Sequence, residues 1–208
     1  MKASRRYGHR KQQSRMRGFS LTELVIVVAV ILVVAAIAIP NAVQAWYNAQ
    51  LKAASSEISD LMQQARMLSA KKNATYQIRY RTTSGVQQVY IDLNNNSAWD
   101  TGEPVIDLGR GFTMASSAPS GGVGQPTAYT LAADTSSGTP CDNACILGFS
   151  PRGLPCKYVS TATPPCSTPA VTYFVYYLNN GRPEGWAAVL VTKAGRSKSL
   201  VWNGSSWK

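Results

Sequence analysis

Residues 18–40 read GFSLTELVIVVAVILVVAAIAIP, and this stretch decides how the rest of the chain is organised. An unbroken apolar run extends from Leu24 to Ile39, and a single carboxylate, Glu23, stands directly before it. Since a helix rises about 1.5 Å per residue, a helix of this length crosses the hydrocarbon core of a bilayer. A carboxylate in such a helix costs roughly 2.5 to 3.5 kcal/mol near the bilayer centre and less toward its edge. Glu23 is therefore expected to have a partner.

The order of the parts separates this stretch from a secretory signal. A secretory signal carries its small-residue cleavage site after the apolar core, whereas here Arg17 and Gly18 precede it. The helix is therefore expected to stay with the mature protein. An ordinary single-pass anchor explains the hydrophobicity, but it does not explain why Gly18, Phe19, Glu23 and Pro40 occur together.

Residues 18–24, GFSLTEL, resemble the processing site of type IV pilins and type II secretion pseudopilins. The resemblance implies that a prepilin peptidase cuts after Gly18 and methylates the new N-terminal residue, Phe19. Glu23 and Pro40 then fall where this family commonly carries a glutamate and a proline. It also implies a minor structural subunit, stored in the inner membrane, that assembles with other pilins through an inner-membrane assembly platform. The product is a type IV pilus or a type II secretion pseudopilus.

Glu23 has a physical role in this scheme. Cleavage exposes a cationic amine on Phe19, and the Glu23 carboxylate of a neighbouring subunit supplies the opposite charge. A buried charge is tolerable when it is paired and hydrogen-bonded, and costly when it is alone. Assembly is therefore expected to pair the two groups.

Residues 1–18 carry seven cations and no acid. The positive-inside rule then places the N-terminus in the cytoplasm and exports the rest. A nucleic-acid-binding arm is the alternative interpretation of a basic run, but its position beside the apolar stretch favours topology. Removal of this leader lowers the formal net charge from +11 to +4. The only histidine, His9, lies in the leader.

Helical periodicity continues beyond Pro40, because apolar residues recur every three to four positions from Val43 to Leu68. The pattern predicts one helix from about Ser20 to about Lys71, with Asn73 as its stop. Four segments follow: a cleaved leader at 1–18, a transmembrane and polymerisation helix at 19–40, the amphipathic half of the helix at 41–73, and an exported β-rich domain at 74–208.

Short runs with turn residues between them predict strands after Asn73. The first two form a hairpin, and the last strands follow an Asn-Asn-Gly turn at 179–181. Two Gly/Ser/Pro-rich stretches, 115–126 and 135–140, are predicted to be surface loops. The fold class is α+β, with the long helix packed on antiparallel sheet. The predicted strands are 75–81, 86–93, 128–132, 145–149, 171–178, 186–192 and 198–202.

Two further motifs resemble one branch of the pilin family. Residues 146–153, ILGFSPRG, and the pair Gly195 and Arg196 are similar to late-strand motifs of the H-type pseudopilin and the FimT-type minor pilin, the GspH/FimT branch. This likeness is shorter and less specific than the one at residues 18–24.

Four cysteines, Cys141, Cys145, Cys156 and Cys166, lie in the part that is expected to be exported. In an oxidising compartment they predict two disulfides with three connectivities, of which nearest-neighbour pairing is favoured. A zinc site of four thiolates is the alternative. Their spacings lack the paired CxxC knuckles of such sites, so zinc is not expected.

One polar loop carries a calcium-like pattern. Five oxygen-bearing residues occupy the first, third, fifth, ninth and twelfth positions of an EF-hand-like frame, and they are Asp92, Asn94, Asn96, Asp100 and Glu103. The flanks are typical of strands, so a true EF-hand is not expected. A polar turn without an ion explains the same residues and is favoured. No cofactor is expected.

Catalysis has little support in the mature sequence. Loss of His9 removes Ser-His and Cys-His mechanisms, and neither a P-loop nor a GxGxxG motif occurs. The protein is therefore not expected to be an enzyme. The alternatives to a structural pilin are a DNA-binding minor pilin that serves DNA uptake and an anchored envelope domain that never polymerises.

The DNA-binding alternative rests on Lys193, Arg196 and Lys198, which surround a predicted turn at 194–195. Cations on a turn reach phosphates, and exposed indoles such as Trp202 and Trp207 stack on bases. Gly195 to Lys198 is similar to the Gly-Arg-x-Arg motif of FimT-type pilins, with lysine in place of the last arginine. In the competing interpretation, which is favoured, the tryptophans are buried in the core and the cations lie on a solvent-exposed sheet edge.

Overall fold

The computed structural model describes residues 19–115, 139–140, 146–167 and 173–208. They form helix α1, Leu21–Lys72, and eleven strands. The strands are β1 Tyr76–Thr83, β2 Val86–Asp92, β3 Val105–Arg110, β4 Thr113–Ala115, β5 Thr139–Pro140, β6 Leu147–Phe149, β7 Pro155–Tyr158, β8 Cys166–Ser167, β9 Tyr173–Asn179, β10 Trp186–Thr192 and β11 Ser197–Val201.

The chain divides into two compact units, Met1–Val43 and Gln44–Lys208. In the first unit, the large apolar side chains of α1 are exposed from Leu21 to Ile39. The helix is long and apolar enough to cross a membrane, with a mean hydropathy of 3.0 over its most apolar window. Pro40 lies inside the helix and does not end it, as the sequence predicted.

The helix ends where the sequence predicted a stop. Asn73 has a φ of 50°, and the N–H of Ala74 donates to the carbonyl of Ser69 at 3.1 Å. This bond, with a left-handed residue directly after the helix, is the Schellman arrangement that satisfies terminal carbonyls.

In the second unit, the first sheet has the strand order β3-β2-β1-β6-β7-β8, and all its pairs are antiparallel. The β1–β2 hairpin is confirmed, with a tighter turn than predicted. Ser84 and Gly85 have φ angles of 53° and 77°, which makes a two-residue turn whose twist matches that of the strands.

The second sheet has the order β11-β10-β9-β4, and β5 pairs in parallel with β9. The predicted loops at 115–126 and 135–140 are therefore wrong at one end each. Ala115 closes β4, and Thr139–Pro140 is β5. Both pieces are strands because they pair with the long strand β9, and not because of a pattern in their own sequence. The predicted strand at 128–132 lies outside the described residues.

The core lies between α1 and the two sheets. The helix contributes buried residues at the spacing of one face, including Leu51, Ile58, Met62 and Ala65. Burial starts at Leu51, so the predicted apolar face begins too early: Trp46 is 66 % exposed. A second cluster covers the other face of the second sheet and contains Val175, Tyr177, Ala188, Leu190 and Leu200. The α+β prediction, with the helix on antiparallel sheets, is confirmed.

Candidate functional site

The helix begins two residues after the predicted cleavage bond, and Ser20 caps it. The Ser20 hydroxyl accepts a hydrogen bond from the N–H of Glu23 at 3.2 Å, and the Ser20 carbonyl accepts the first helical bond, from Leu24, at 3.2 Å. A serine that satisfies a free N–H of the first turn is a strong N-cap. Gly18 lies outside the described residues, and Phe19 is exposed directly before the cap.

Glu23 occupies a position at the helix start that was not predicted from the sequence. It lies in the first turn, three residues after the cap, which is the Ser-x-x-Glu spacing of a capping box. A carboxylate there also interacts favourably with the positive end of the helix dipole. The Ser-x-x-Glu spacing of residues 20–23 was the signal in the sequence that could have predicted this position. The predicted pairing of Glu23 with a neighbour's amine stays a prediction.

A basic surface forms at the β10–β11 hairpin. Its three cations, Lys193, Arg196 and Lys198, are exposed, and we call them the hairpin cations. The turn is held by the Gly195 N–H, which donates to the Thr192 carbonyl at 2.7 Å. The predicted turn at 194–195 is thus observed, with the cations on and beside it.

The hairpin is fastened to α1 by polar contacts. The Gly195 carbonyl accepts from Arg66 Nη1 at 3.3 Å and from Gln63 Nε2 at 3.4 Å. The Ser197 hydroxyl accepts from Gln63 Nε2 at 2.8 Å and lies 2.6 Å from the Ser59 hydroxyl. Because the helical residues are spaced by four and three, they present one polar face to the hairpin.

Two glycines allow the β10–β11 hairpin to approach α1 closely. A Cβ on Gly195 would lie 3.1 Å from the carbonyl oxygen of Gly153, and a Cβ on Gly153 would lie 3.3 Å from Cγ of Arg66. Both glycines have left-handed φ angles, 76° and 69°. The two late motifs, far apart in sequence, therefore meet at one helical arginine.

This contact adds a residue to the basic surface. Arg152 is exposed and stands next to Gly153, as Arg196 stands next to Gly195. Contact between the glycines places the two arginines on neighbouring turns of different sheets. The sequence analysis missed Arg152, because no local pattern links residue 152 to residue 196.

The C-terminal tryptophans are packed. Trp202 is 9 % exposed, and its ring lies 5.6 Å from that of Trp207 in an edge-on arrangement. Trp207 also contacts Tyr177, at 6.5 Å between ring centroids. The burial interpretation is therefore confirmed for Trp202, whereas Trp207 is half-buried and packs against Trp202 and Tyr177.

Four residues of the predicted calcium frame lie in the β2–β3 connection, and the fifth, Asp92, is the last residue of β2. Asn94 and Asn96 both donate from Nδ2 to the same oxygen, Asp100 Oδ2, at 2.6 and 2.7 Å. Glu103 accepts from the N–H groups of Leu93 and Asp100, at 2.7 and 3.0 Å.

A buried tyrosine lies beside this loop. Burial raises the pKa of Tyr90 above its ordinary 10.0, while nearby Arg79 opposes the shift and Asp92 adds to it. Its hydroxyl therefore stays protonated at neutral pH and donates to the carbonyl of Ser97 at 3.4 Å.

One predicted disulfide is present. Cys156 and Cys166 are joined, and they tie β7 to β8 at the edge of the first sheet. This agrees with nearest-neighbour pairing. Cys141 and Cys145 lie outside the described residues, so their pairing stays a prediction. Both cysteines of the observed bridge are thereby excluded from a zinc site of four thiolates.

Comparison with known families supports the N-terminal assignment. The prokaryotic N-terminal methylation motif, a type IV pilin-like prepilin signal, matches residues 13–39. The motif implies processing by a prepilin peptidase and assembly with other pilins. Together with the apolar helix, it indicates membrane anchoring. Searches of curated proteins and of solved structures find no match.

Proposed function

We propose that this protein is a minor pilin or pseudopilin of the GspH/FimT branch. It is stored in the inner membrane with a cytoplasmic N-terminus and cut after Gly18. It then enters a type IV pilus or a type II secretion pseudopilus through an assembly platform. The observation that carries the proposal is the prepilin motif placed on the capped start of an apolar helix.

The exposed side chains of that helix favour a subunit over a simple anchor. Lipid covers a single apolar helix in the membrane, but beyond the local interaction with the helix dipole an anchor gains nothing from a carboxylate in its first turn. A polymer does, because the carboxylate pairs with an amine that processing creates. A non-polymerising anchored envelope domain is the competing function, and it requires neither processing nor Glu23.

No catalytic role is proposed. The sole histidine lies in the leader, and the described residues contain no histidine that could act as a general base. The turns that approach α1 at Gly153 and Gly195 are held by close glycine contacts and hydrogen bonds. We therefore assign the β-rich unit to contacts with other subunits.

Processing is the direct test. In cells with an active prepilin peptidase, membrane-extracted protein is expected to begin with methylated Phe19, and intact-mass analysis measures this. Cells that lack the peptidase are the control and should retain residues 1–18. Retention of these residues in the peptidase-positive cells would contradict the proposal.

DNA binding is a second candidate function, favoured by one observation. The hairpin cations and Arg152 lie on neighbouring turns joined by Gly153 and Gly195. Four cations on adjoining turns can follow a phosphate backbone without any exposed aromatic ring. Lys198 lacks the bidentate fork of an arginine, so this surface suits charge-based binding rather than base readout.

A salt series on the processed chain, residues 19–208, in neutral detergent tests this candidate without the seven cations of the leader. Contact with about four phosphates predicts a log-log slope of roughly −3.6 on duplex DNA, and Arg152→Ala should reduce its magnitude by about 0.9. Arg110→Ala, an exposed arginine on the edge strand β3, is the matched control. Absence of salt-sensitive binding at low ionic strength, or an equal effect of the control, would exclude DNA binding by this surface.

A further inference from the structure

The connection between β2 and β3 contains an unsatisfied buried charge. Asp92 is fully buried, and its Oδ2 accepts from Gln77 Nε2 and from the N–H of Ser97, each at 2.7 Å. Its other oxygen, Oδ1, is buried and has no hydrogen-bond partner among the described residues. A buried carboxylate oxygen without a donor is costly, and each such group in a folded protein requires an explanation.

The orphaned oxygen belongs to a carboxylate that faces the loop. Ser97, which donates to Asp92, is in the middle of the twelve-residue segment that runs from Asp92 to Glu103. The Ser97 bond therefore ties the carboxylate to the middle of the segment, in which Asn94, Asn96 and Asp100 meet one another. A cation bound by the oxygens of this segment would supply the partner that Oδ1 lacks.

We propose that residues 92–103 bind one calcium ion. The ligands are Asp92 through Oδ1, Asp100, Glu103, and the amide oxygens of Asn94 and Asn96. Within the described part of the chain, no three histidine, cysteine or acidic side chains converge as a metal group by themselves. The three acidic ligands therefore have to close around the ion as it binds, and the neutral amide oxygens complete the shell. The amide oxygens of Asn94 and Asn96 accept from the N–H groups of Asn96 and Ala98, so each side chain must rotate about its broad terminal torsion to turn its oxygen toward the ion.

The ligand set selects calcium over other common ions. All the donors are hard oxygens on a loop, and calcium accepts six to eight such ligands in flexible geometry. Magnesium demands a near-ideal octahedron and dehydrates reluctantly, so it fits an irregular loop poorly. Thiolate and imidazole ligands, which zinc and copper favour, are not part of this loop.

A neighbouring cation limits the affinity. Arg79 donates from Nη1 to the Ser97 hydroxyl at 2.8 Å and to Gln77 Oε1 at 3.1 Å, so its positive charge lies against the loop. Repulsion from this guanidinium weakens binding of a divalent ion. We expect a Kd on the order of 0.1 to 1 mM, the range of extracellular calcium modules.

Calorimetric titration of the full chain in neutral detergent tests the proposal. Calcium should give a saturable, one-site isotherm, and magnesium should bind at least tenfold more weakly. Asp100→Asn changes an exposed loop residue without altering its size, and it should weaken calcium binding at least tenfold. Asp107→Asn, an exposed acid on β3 outside the loop, is the matched control and should bind as the wild type does.

Asp92→Asn provides an independent readout. It should abolish calcium binding while leaving the unfolding midpoint without calcium unchanged or higher, because it removes the unsatisfied charge. The proposal is overturned if calcium gives no saturable heat up to about 10 mM, a concentration ten times the highest Kd expected. Magnesium binding of equal strength, retained binding in Asp92→Asn, or equal losses in Asp100→Asn and Asp107→Asn would overturn it as well.

Discussion

Replacing Gly195 by alanine is expected to lower the free energy of unfolding by about 2 to 5 kcal/mol. The added Cβ would lie 3.0 Å from Arg66 Nε and 3.1 Å from the carbonyl oxygen of Gly153, and that carbonyl is backbone. The φ of 76° adds a cost of roughly 1 to 2 kcal/mol for any L-residue. Overpacking adds roughly 1 to 3 kcal/mol more, because the hairpin must move away from α1.

Gly85 offers a matched control for this prediction. Its φ is 77°, nearly the same as that of Gly195, but a Cβ there would meet nothing within 4 Å. Gly85→Ala therefore measures the conformational cost alone, about 1 to 2 kcal/mol. Urea unfolding of both variants in detergent, followed by tryptophan fluorescence, gives the difference. Equal losses in the two variants would show that the contact with Arg66 and Gly153 contributes nothing.

The contact between Gly153 and Gly195 also separates the part of the basic surface that the sequence could predict from the part that it could not. Lys193, Arg196 and Lys198 are close in sequence, so a turn signal alone placed them together. Arg152 joins them only through packing between two sheets, which no local pattern records. Asp92 is a comparable case: its spacing suggested an ion ligand, but its burial and its orphaned oxygen depend on the fold of the loop over the sheet.

The elements with strong local signals were predicted well. The helix α1 follows from the apolar run and the later periodicity, and Asn73 ends it. The strand 186–192 has the observed bounds because its apolar run is continuous and flanked by turns. The short strands β3, β4, β7 and β8 were missed, and β5 was assigned to a loop. These pieces have little sequence pattern of their own, and strand pairing with distant residues defines them.

Replacing Glu23 by alanine is expected to reduce incorporation into filaments at least tenfold while membrane insertion is retained. The physical reason is that a neighbour's Phe19 amine loses its countercharge, and removal of one partner of a buried pair costs roughly 3 to 5 kcal/mol. Insertion should be unchanged or improved, because a carboxylate leaves the membrane helix. Immunoblots of sheared filaments and of membranes measure the two quantities. Glu57→Ala, an exposed acid farther along the same helix, is the control.

Because Glu23 also stands at the capping-box position of the helix, a second variant is needed. Glutamine also serves at the third helical position of a capping box, so Glu23→Gln keeps the local hydrogen-bonding capacity and removes only the charge. If charge pairing drives assembly, Glu23→Gln should fail as Glu23→Ala does. Recovery of incorporation by Glu23→Gln would assign the effect to the helix start at Ser20. Normal incorporation of Glu23→Ala would remove the pairing from the mechanism altogether.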